Sequence, residues 1–448
     1  MTQEPNRANS DTTDTRNFLL SKAQSEPVNR TACRGETSGD DGLRRSYPQL
    51  LSGKSLVVRA MSLLEDVQEF AALAIQVDTC PSGAVSAGPE SESGARAAVA
   101  DALASVRRPD AGLWGLLDEN TFGCYLPRGG PSTTTELVED IKSKVLAGGG
   151  PTLTVGLALF PTLDYPKDKI LDNARKALEH AKFFGPDSLV AFDGISLNIS
   201  GDRLYDEGAY RAAIKEYETA LKLEPSNANL HNSLGVCYGV TGAFEEALAQ
   251  FDKALDLDAD EALARYNAGL VHLLLGERER AREHLLEAEK RSQSLFEVKL
   301  QLGKLFLEDG RLAEGRSYLE AAADLQPHSS RVHCLLGECY AALDLQDQAL
   351  AAYKKSLRIN ANDAASLSGL GWLYHAMGKN ADIAKLFCRH SVEIAPRNGL
   401  FHHRLGCLFL KENRLTEAQG AFQTAEELGC DSASQLADVR SRLVEKAS

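Results

Sequence analysis

From residue 194 onward, glycine, small and large apolar positions recur with one long, fixed period. Glycines stand at 201, 235, 269, 303, 337, 371 and 406, at intervals of 34, 34, 34, 34, 34 and 35 residues. A small residue follows each glycine by twelve positions, or thirteen in the sixth unit: Ala213, Ala247, Ala281, Gly315, Ala349, Ala384 and Ala418. Four residues later the position is mostly large and apolar: Tyr217, Phe251, Leu285, Leu319, Tyr353, Cys388 and Phe422. Three further on it is small again, from Ala220 to Ala425. Proline closes three units, at Pro225, Pro327 and Pro396. The pattern predicts seven pairs of antiparallel helices over residues 194–432. Glycine and the small residues let the two backbones approach, and the large residue fills the space beside them. Proline cannot continue a helix and ends the second one. One pair cannot bury its apolar face alone, whereas stacked neighbours can. Residues 433–448 read as a final amphipathic helix that caps the last pair.

Upstream, the period changes. Phe70–Val77 is a continuous apolar run of strand length. A helix is expected over 94–106, then a hairpin of Leu113–Leu117 and Thr121–Leu126 across Asp118, Glu119 and Asn120. After a further helix come a strand from Thr152, a helix Lys167–Phe184 and a strand Ser188–Phe192. This order predicts an α+β domain over 55–193, a mixed sheet covered by helices. Residues 1–54 are rich in polar residues and glycine and poor in apolar ones, so they are expected to be largely disordered.

The repeat resembles the tetratricopeptide repeat (TPR), with its 34-residue Leu-Gly…Tyr…Ala…Phe…Ala…Pro skeleton. The resemblance covers over half of the chain and implies an all-α superhelix. It departs in the sixth unit, where one extra residue sits near Lys379–Asp382. The front domain resembles the GGDEF domain of diguanylate cyclases. The resemblance rests on Thr154–Ala158, on Ala174–Gly185, and on the string ALASVRRPDAGLWGLLDENTFGCYLP at the hairpin. It implies a nucleotide-cyclase-like sheet. The family's chemistry needs two carboxylates to hold metal ions against a triphosphate, and two turn glycines to admit the nucleotide. Here Gln76 stands at the first acid's position, with Asp78 two residues on. The hairpin reads Leu116-Leu117-Asp118-Glu119-Asn120-Thr121-Phe122, with leucines where the glycines belong. The resemblance therefore implies a domain without catalysis, hence no catalytic residue, no bound metal and no cofactor. Arg107 and Asp110 form an R-x-x-D ahead of the hairpin. In that family such a motif binds cyclic di-GMP, arginine bridging phosphate and guanine and aspartate accepting from guanine. Lys182 stands at a phosphate-contacting place of the family but reads here as an exposed helix lysine.

In TPR proteins the first helix of each unit lines a concave groove. Counting from each glycine, the groove positions are Asn198, Asn232, Tyr266, Asn267, Gln301, Lys304, Arg331, Trp372, His375, His403 and Arg404. Amides, cations and aromatics on one face suit an extended peptide, whose backbone needs hydrogen-bond partners. Neighbouring His402 and His403 point about 100° apart on a helix, which disfavours a shared metal.

Charge narrows the field. The 448 residues carry 49 Lys+Arg against 63 Asp+Glu, a formal charge of -14. Such a surface disfavours sequence-independent nucleic-acid binding, which works by displacing counterions. No apolar run approaches the roughly 20 residues that cross a bilayer, and the N-terminus lacks a secretory pattern. Nine cysteines, an odd number without C-x-x-C spacing, suit free thiols in a reducing compartment, so the cytoplasm is the expected location. Three functions remain open: a non-enzymatic scaffold that binds a protein or peptide partner, a cyclic di-GMP receptor, and an active cyclase regulated by the repeats. The first fits the residues best. The pairing of the two modules is bacterial in character, as the resemblances imply.

Overall fold

The computed structural model describes residues 41–78, 89–105 and 112–447. They fall into two compact units, one up to Cys237 and one from Tyr238 onward. The first unit holds a six-stranded sheet and the beginning of the helical array. Its elements are α1 (Asp41–Ser46), β1 (Leu51–Ser52), α2 (Gly53–Leu63), β2 (Phe70–Val77), α3 (Pro89–Ser105), β3 (Leu113–Asp118) and β4 (Thr121–Pro127). After these come α4 (Pro131–Ala147), β5 (Leu153–Phe160), a 3-10 turn at Lys167–Lys169, α5 (Ile170–Lys182) and β6 (Leu189–Ala191).

The spatial order is β1-β3-β4-β2-β5-β6. β2 lies between β4 and β5 and is antiparallel to both. The hairpin partner β3 lies outside β4, and β6 runs parallel to β5. Strands β2 to β5 with α3 and α4 thus make a split β-α-β arrangement. β2 is apolar without alternation because both of its faces are covered. Ala71, Leu73, Ile75 and Val77 pack with Val99 of α3 and Val138, Ile141 and Val145 of α4. Phe70, Ala72 and Ala74 pack on the other face with Leu56 and Ala60 of α2 and Ala174 and Leu178 of α5. The small residues admit α5 closely. A Cβ on Gly156 would lie 2.1 Å from the carbonyl oxygen of Ala174, so the strand needs glycine there.

Two expectations need correction. Residues 41–54 are not disordered. α1 and β1 form there, β1 pairs in parallel with β3, and Tyr47 meets the Trp114 ring edge-on at 5.3 Å. Leu43, Tyr47 and Leu50 supply the apolar surface that a polar-looking stretch hides. The helix expected over 94–106 begins earlier, at Pro89, ahead of the acidic residues Glu90 and Glu92.

The helical pairs follow as α6 (Gly194–Asp206) with α7 (Tyr210–Leu223), α8 (Ala228–Thr241) with α9 (Phe244–Leu257), and α10 (Ala262–Leu274) with α11 (Arg278–Arg291). Next are α12 (Phe296–Glu308) with α13 (Leu312–Leu325), α14 (Ser330–Ala342) with α15 (Gln346–Ile359), and α16 (Ala364–Ala376) with α17 (Ala381–Ile394). α18 (Gly399–Lys411) with α19 (Leu415–Glu427) is the last pair, and α20 (Ala433–Ala447) ends the array. The boundary between the two units falls within α8.

The periodic residues do what their sizes predict. Tyr217, Phe251, Leu285, Leu319 and Phe422 are at most 1% exposed. A Cβ at Gly201 would meet the Tyr217 ring, at Gly303 the Leu319 side chain, and at Gly406 the Phe422 ring. A second glycine series sets the turns. Gly208, Gly242, Gly276, Gly310 and Gly378 have positive φ, and Asp344 and Asn413 take the same place in the fifth and seventh units. These seven residues stand seven positions after each framework glycine and turn the chain from first helix to second in the left-handed region. The extra residue of the sixth unit is absorbed at this turn, where Asn380 is a second left-handed residue (φ 50°).

In the first unit the sheet domain and first helical pair are bound by polar contacts. Lys176 of α5 bonds Glu216 of α7 at 2.8 Å, both side chains 19% exposed. His180 of α5 stands 3.3 Å from Ser196 Oγ, at the start of α6. Asp193 caps that helix, accepting from Ser196 N at 2.8 Å.

Candidate peptide-binding surface

The candidate surface is built from first helices, and its geometry is clearest in the second unit. The positions named from the sequence divide by register. Those three and two residues before the framework glycine are buried: Asn232 (1% exposed), Tyr266 (0%), Asn267 (0%), Gln301 (4%), His403 (4%) and Arg404 (5%). They are not open to a ligand, which corrects their expected role. The reason is stacking. Consecutive first helices such as α14, α16 and α18 touch one another, and this register is pressed between them. Asn198, in the first pair, is half-buried, and its Oδ1 is buried without a hydrogen-bond partner. Of the named residues, those one and four after the glycine, and six before it, stay half-exposed: Lys304, Trp372, His375 and Arg331.

The buried set supports the half-exposed one. Arg404 of α18 places its guanidinium 6.0 Å from the Trp372 ring centre and donates to Ser368 Oγ on α16 at 3.2 Å. Trp372 meets the His375 ring at 5.1 Å and 32°. Burial lowers the pKa of His375, and the charge of Lys411 lowers it further. The imidazole is therefore held neutral beside the indole near pH 7, able both to donate and to accept. A cation held against one part of an aromatic ring, with the remainder reaching solvent, is a preformed anchor for an apolar or amide group. On the neighbouring pairs, burial raises the Tyr266 pKa, as does the charge of Glu297, while Arg331 and Gln301 act the other way. Lys304 lies 3.8 Å from Glu308, one turn along its own helix.

Sequence reasoning missed Ser368, Lys411 and Cys407. The glycine count that selected Lys304 and Trp372 also selects Cys407, one residue after Gly406. Ser368, three residues before Gly371, shares the register of Asn232, Tyr266 and His403, so the same count selects it, whereas Lys411 carries no periodic signal.

In the front domain, Asp78 is occupied. Its carboxylate accepts from Thr152 Oγ1 at 2.8 Å, Thr154 Oγ1 at 2.7 Å and Asp187 N at 3.0 Å. Gln76 pairs with Thr121 and Thr154 within the sheet. At the hairpin the register slips between Leu116 and Asp118. A Cβ on Gly123 would lie 2.9 Å from Leu117 Cδ2, so leucine fills the space beside the strand. Asp118 Oδ1 accepts from Asn120 N at 3.2 Å and closes the turn. Lys182 pairs with Glu179 at 2.7 Å on an exposed helix face. Arg107 and Asp110 lie outside the described residues.

Paired helices locked by glycine against a large side chain, repeated every 34 residues, define a helical-repeat architecture. Residues 201–240 and 241–276 match a family model described as TPR repeat, and residues 300–364 match one described as tetratricopeptide repeat. The C-terminal part of the chain carries tetratricopeptide repeats. Among curated proteins it is similar to human protein O-mannosyl-transferase TMTC1, 27% identical over 230 residues, covering 50% of this chain and 26% of that protein. BBSome complex member BBS4 of Bos taurus is 25% identical over 212 residues, covering 47% and 40%. Hsp70-Hsp90 organizing protein 1 of Glycine max is 27% identical over 119 residues, covering 27% and 20%. The chain thus spans between a fifth and two fifths of the length of these relatives. Among solved structures, a tetratricopeptide repeat protein from Parabacteroides merdae gives a TM-score of 0.43 at 18% identity, covering 55% of this chain and 96% of that one. YrrB, described as a TPR protein with an unusual peptide-binding site, gives 0.37 at 21% identity, covering 42% and 96%.

Proposed function

We propose that the repeats bind an extended segment of a partner polypeptide along their first helices, at Lys304, Arg331, Trp372 and His375. The chain would then act as a non-enzymatic scaffold. The observation that carries this reading is the Trp372 cluster, a half-exposed indole flanked by His375 and backed by the buried Arg404. An apolar side chain of the partner would cover the indole. Lys304 and Arg331 would meet its carboxylates or carbonyl oxygens. Proteins built on tetratricopeptide repeats are generally interaction scaffolds, which agrees with this reading. Peptides selected from a random library on the full chain test it. Trp372→Ala should weaken the selected peptides by tenfold or more, since a buried aromatic anchor is typically worth about 2 kcal/mol. Affinity that survives the substitution contradicts the site.

We infer that the front domain descends from a GGDEF-type nucleotide cyclase and has lost turnover. The split β-α-β order of strands and helices supports the ancestry. The loss is supported by Asp78, whose oxygens are spent on sheet threonines and the Asp187 amide, and by the leucines at the hairpin. Full-length protein incubated with GTP and magnesium should yield no cyclic dinucleotide. Product formation would overturn this part of the reading.

A further inference from the structure

Four groups at the end of the array make a directed hydrogen-bond chain. Ser432 Oγ donates to the carbonyl oxygen of Cys430 at 3.2 Å. Its proton is thereby placed, and its lone pairs face His403 Nδ1 at 2.7 Å. With the serine proton so placed, the imidazole takes the tautomer with its proton on Nδ1. The other nitrogen, Nε2, presents a lone pair to Cys407 Sγ at 3.6 Å. His403 is 4% exposed and Ser432 0%, and the His403 ring is braced edge-on against Phe422 at 5.6 Å. A thiol faces a base, and the base is oriented by a third group.

Cys407 also differs from its counterparts. Of the seven described cysteines, six are buried and Cys407 is half-buried. Burial pushes the thiols of Cys124, Cys237 and Cys388 up to about 12 and that of Cys339 to about 11. Those thiols stay protonated and out of reach.

We propose that Cys407 is a modification site, an activated thiol that exchanges with small-molecule disulfides of the glutathione disulfide type. Cys407 Sγ gives its proton to His403 Nε2 and attacks one sulfur of the disulfide. A Cys407–sulfur bond forms as the original sulfur–sulfur bond breaks. The departing thiolate takes the proton back from the imidazolium. The net change is one protein thiol and one disulfide becoming one mixed disulfide and one free thiol, with no other oxidant. Ser432 acts through His403 and is a positioning residue. Cys407 shares its register with Lys304 and Trp372, so the adduct would sit in the row assigned to the partner. That consequence rests on the polypeptide-binding reading, whereas the exchange does not.

The test uses the folded full chain, with dithiobis(nitrobenzoate) and then glutathione disulfide as probes, and mass spectrometry of the peptide that carries Cys407. Cys407 should be modified before the other described cysteines. His403→Ala should slow it by about tenfold or more, and free imidazole should restore part of the rate, which a purely structural role would not allow. Circular dichroism checks the fold. Should His403→Ala unfold, Ser432→Ala decides, with a several-fold slowing expected. Modification of Cys407 no faster than that of Cys124 or Cys388 would overturn the proposal. So would an unchanged rate in either folded variant, or a loss in folded His403→Ala that imidazole leaves untouched. Loss of peptide affinity on modification reports separately on the binding surface.

Discussion

A methyl group added at Gly371 would lie 2.6 Å from Cys388 Sγ and 2.8 Å from the carbonyl oxygen of Ala384, so two backbones would have to part. Gly420, in the middle of α19, is exposed and would meet nothing within 4 Å. Two identical substitutions therefore have opposite signs. Gly371→Ala should cost about 1–3 kcal/mol through overpacking. Gly420→Ala should add about 1 kcal/mol through helix propensity. Denaturant unfolding of the two variants checks both. Asp202 is a second residue with a measurable signature. Burial raises its carboxyl from the ordinary aspartate range to about 6, although the Tyr217 hydroxyl, donating at 2.6 Å, favours the ionised form. The folded state thus binds this proton more tightly than the unfolded one, and stability falls as pH rises between about 4 and 6. Asp202→Asn should flatten that part of the stability–pH curve, removing a slope that amounts to about 3 kcal/mol across the window. An unaltered slope would place the titration elsewhere. The framework glycines were legible in the sequence because one contact, glycine against a large side chain, repeats in every unit. The environment of Asp202 was not: the count from Gly201 gives its register, but its partner Tyr217 lies on the other helix of the pair.

α20 covers the second helix of the α18–α19 pair where the first helix of a further repeat would lie. Leu436 and Val439 enter the cluster formed by Leu405, Leu408, Phe409, Leu415 and Phe422. Removing residues 433–447 should cost roughly 3–5 kcal/mol, the burial of two aliphatic side chains, and should expose the apolar face of α19. Thermal unfolding and light scattering would show a lower midpoint and association. An unchanged midpoint would mean that α20 is not a cap. This helix was readable from its amphipathic pattern, as was β2 from its apolar run. α1, β1 and α2 escaped notice. The apolar residues of α1 and β1 are few, and what the three elements contribute comes from tertiary contacts: Tyr47 against Trp114, and Leu56 and Ala60 of α2 against the sheet. The candidate surface was half legible. Counting from the glycine gave the correct face of each first helix. It could not distinguish the register squeezed between neighbouring first helices from the register that reaches solvent, because that difference arises only on stacking.

At the scale of the molecule, the boundary between the two compact units does not follow the boundary between sheet and helices. The sheet domain and the first helical pair share one unit through Lys176–Glu216 and the His180–Ser196 contact, and the Trp372 surface lies wholly in the other. Trp372 also offers a direct report on that surface. The chain has two tryptophans, and Trp114 is in the sheet. In a Trp114→Phe chain the emission comes from Trp372 alone. Titration of this variant with library-selected peptides should shift the emission and saturate at one equivalent, with Lys304→Ala and His375→Ala weakening the affinity. Selected peptides that bind tightly while Trp372 emission stays constant would contradict the account.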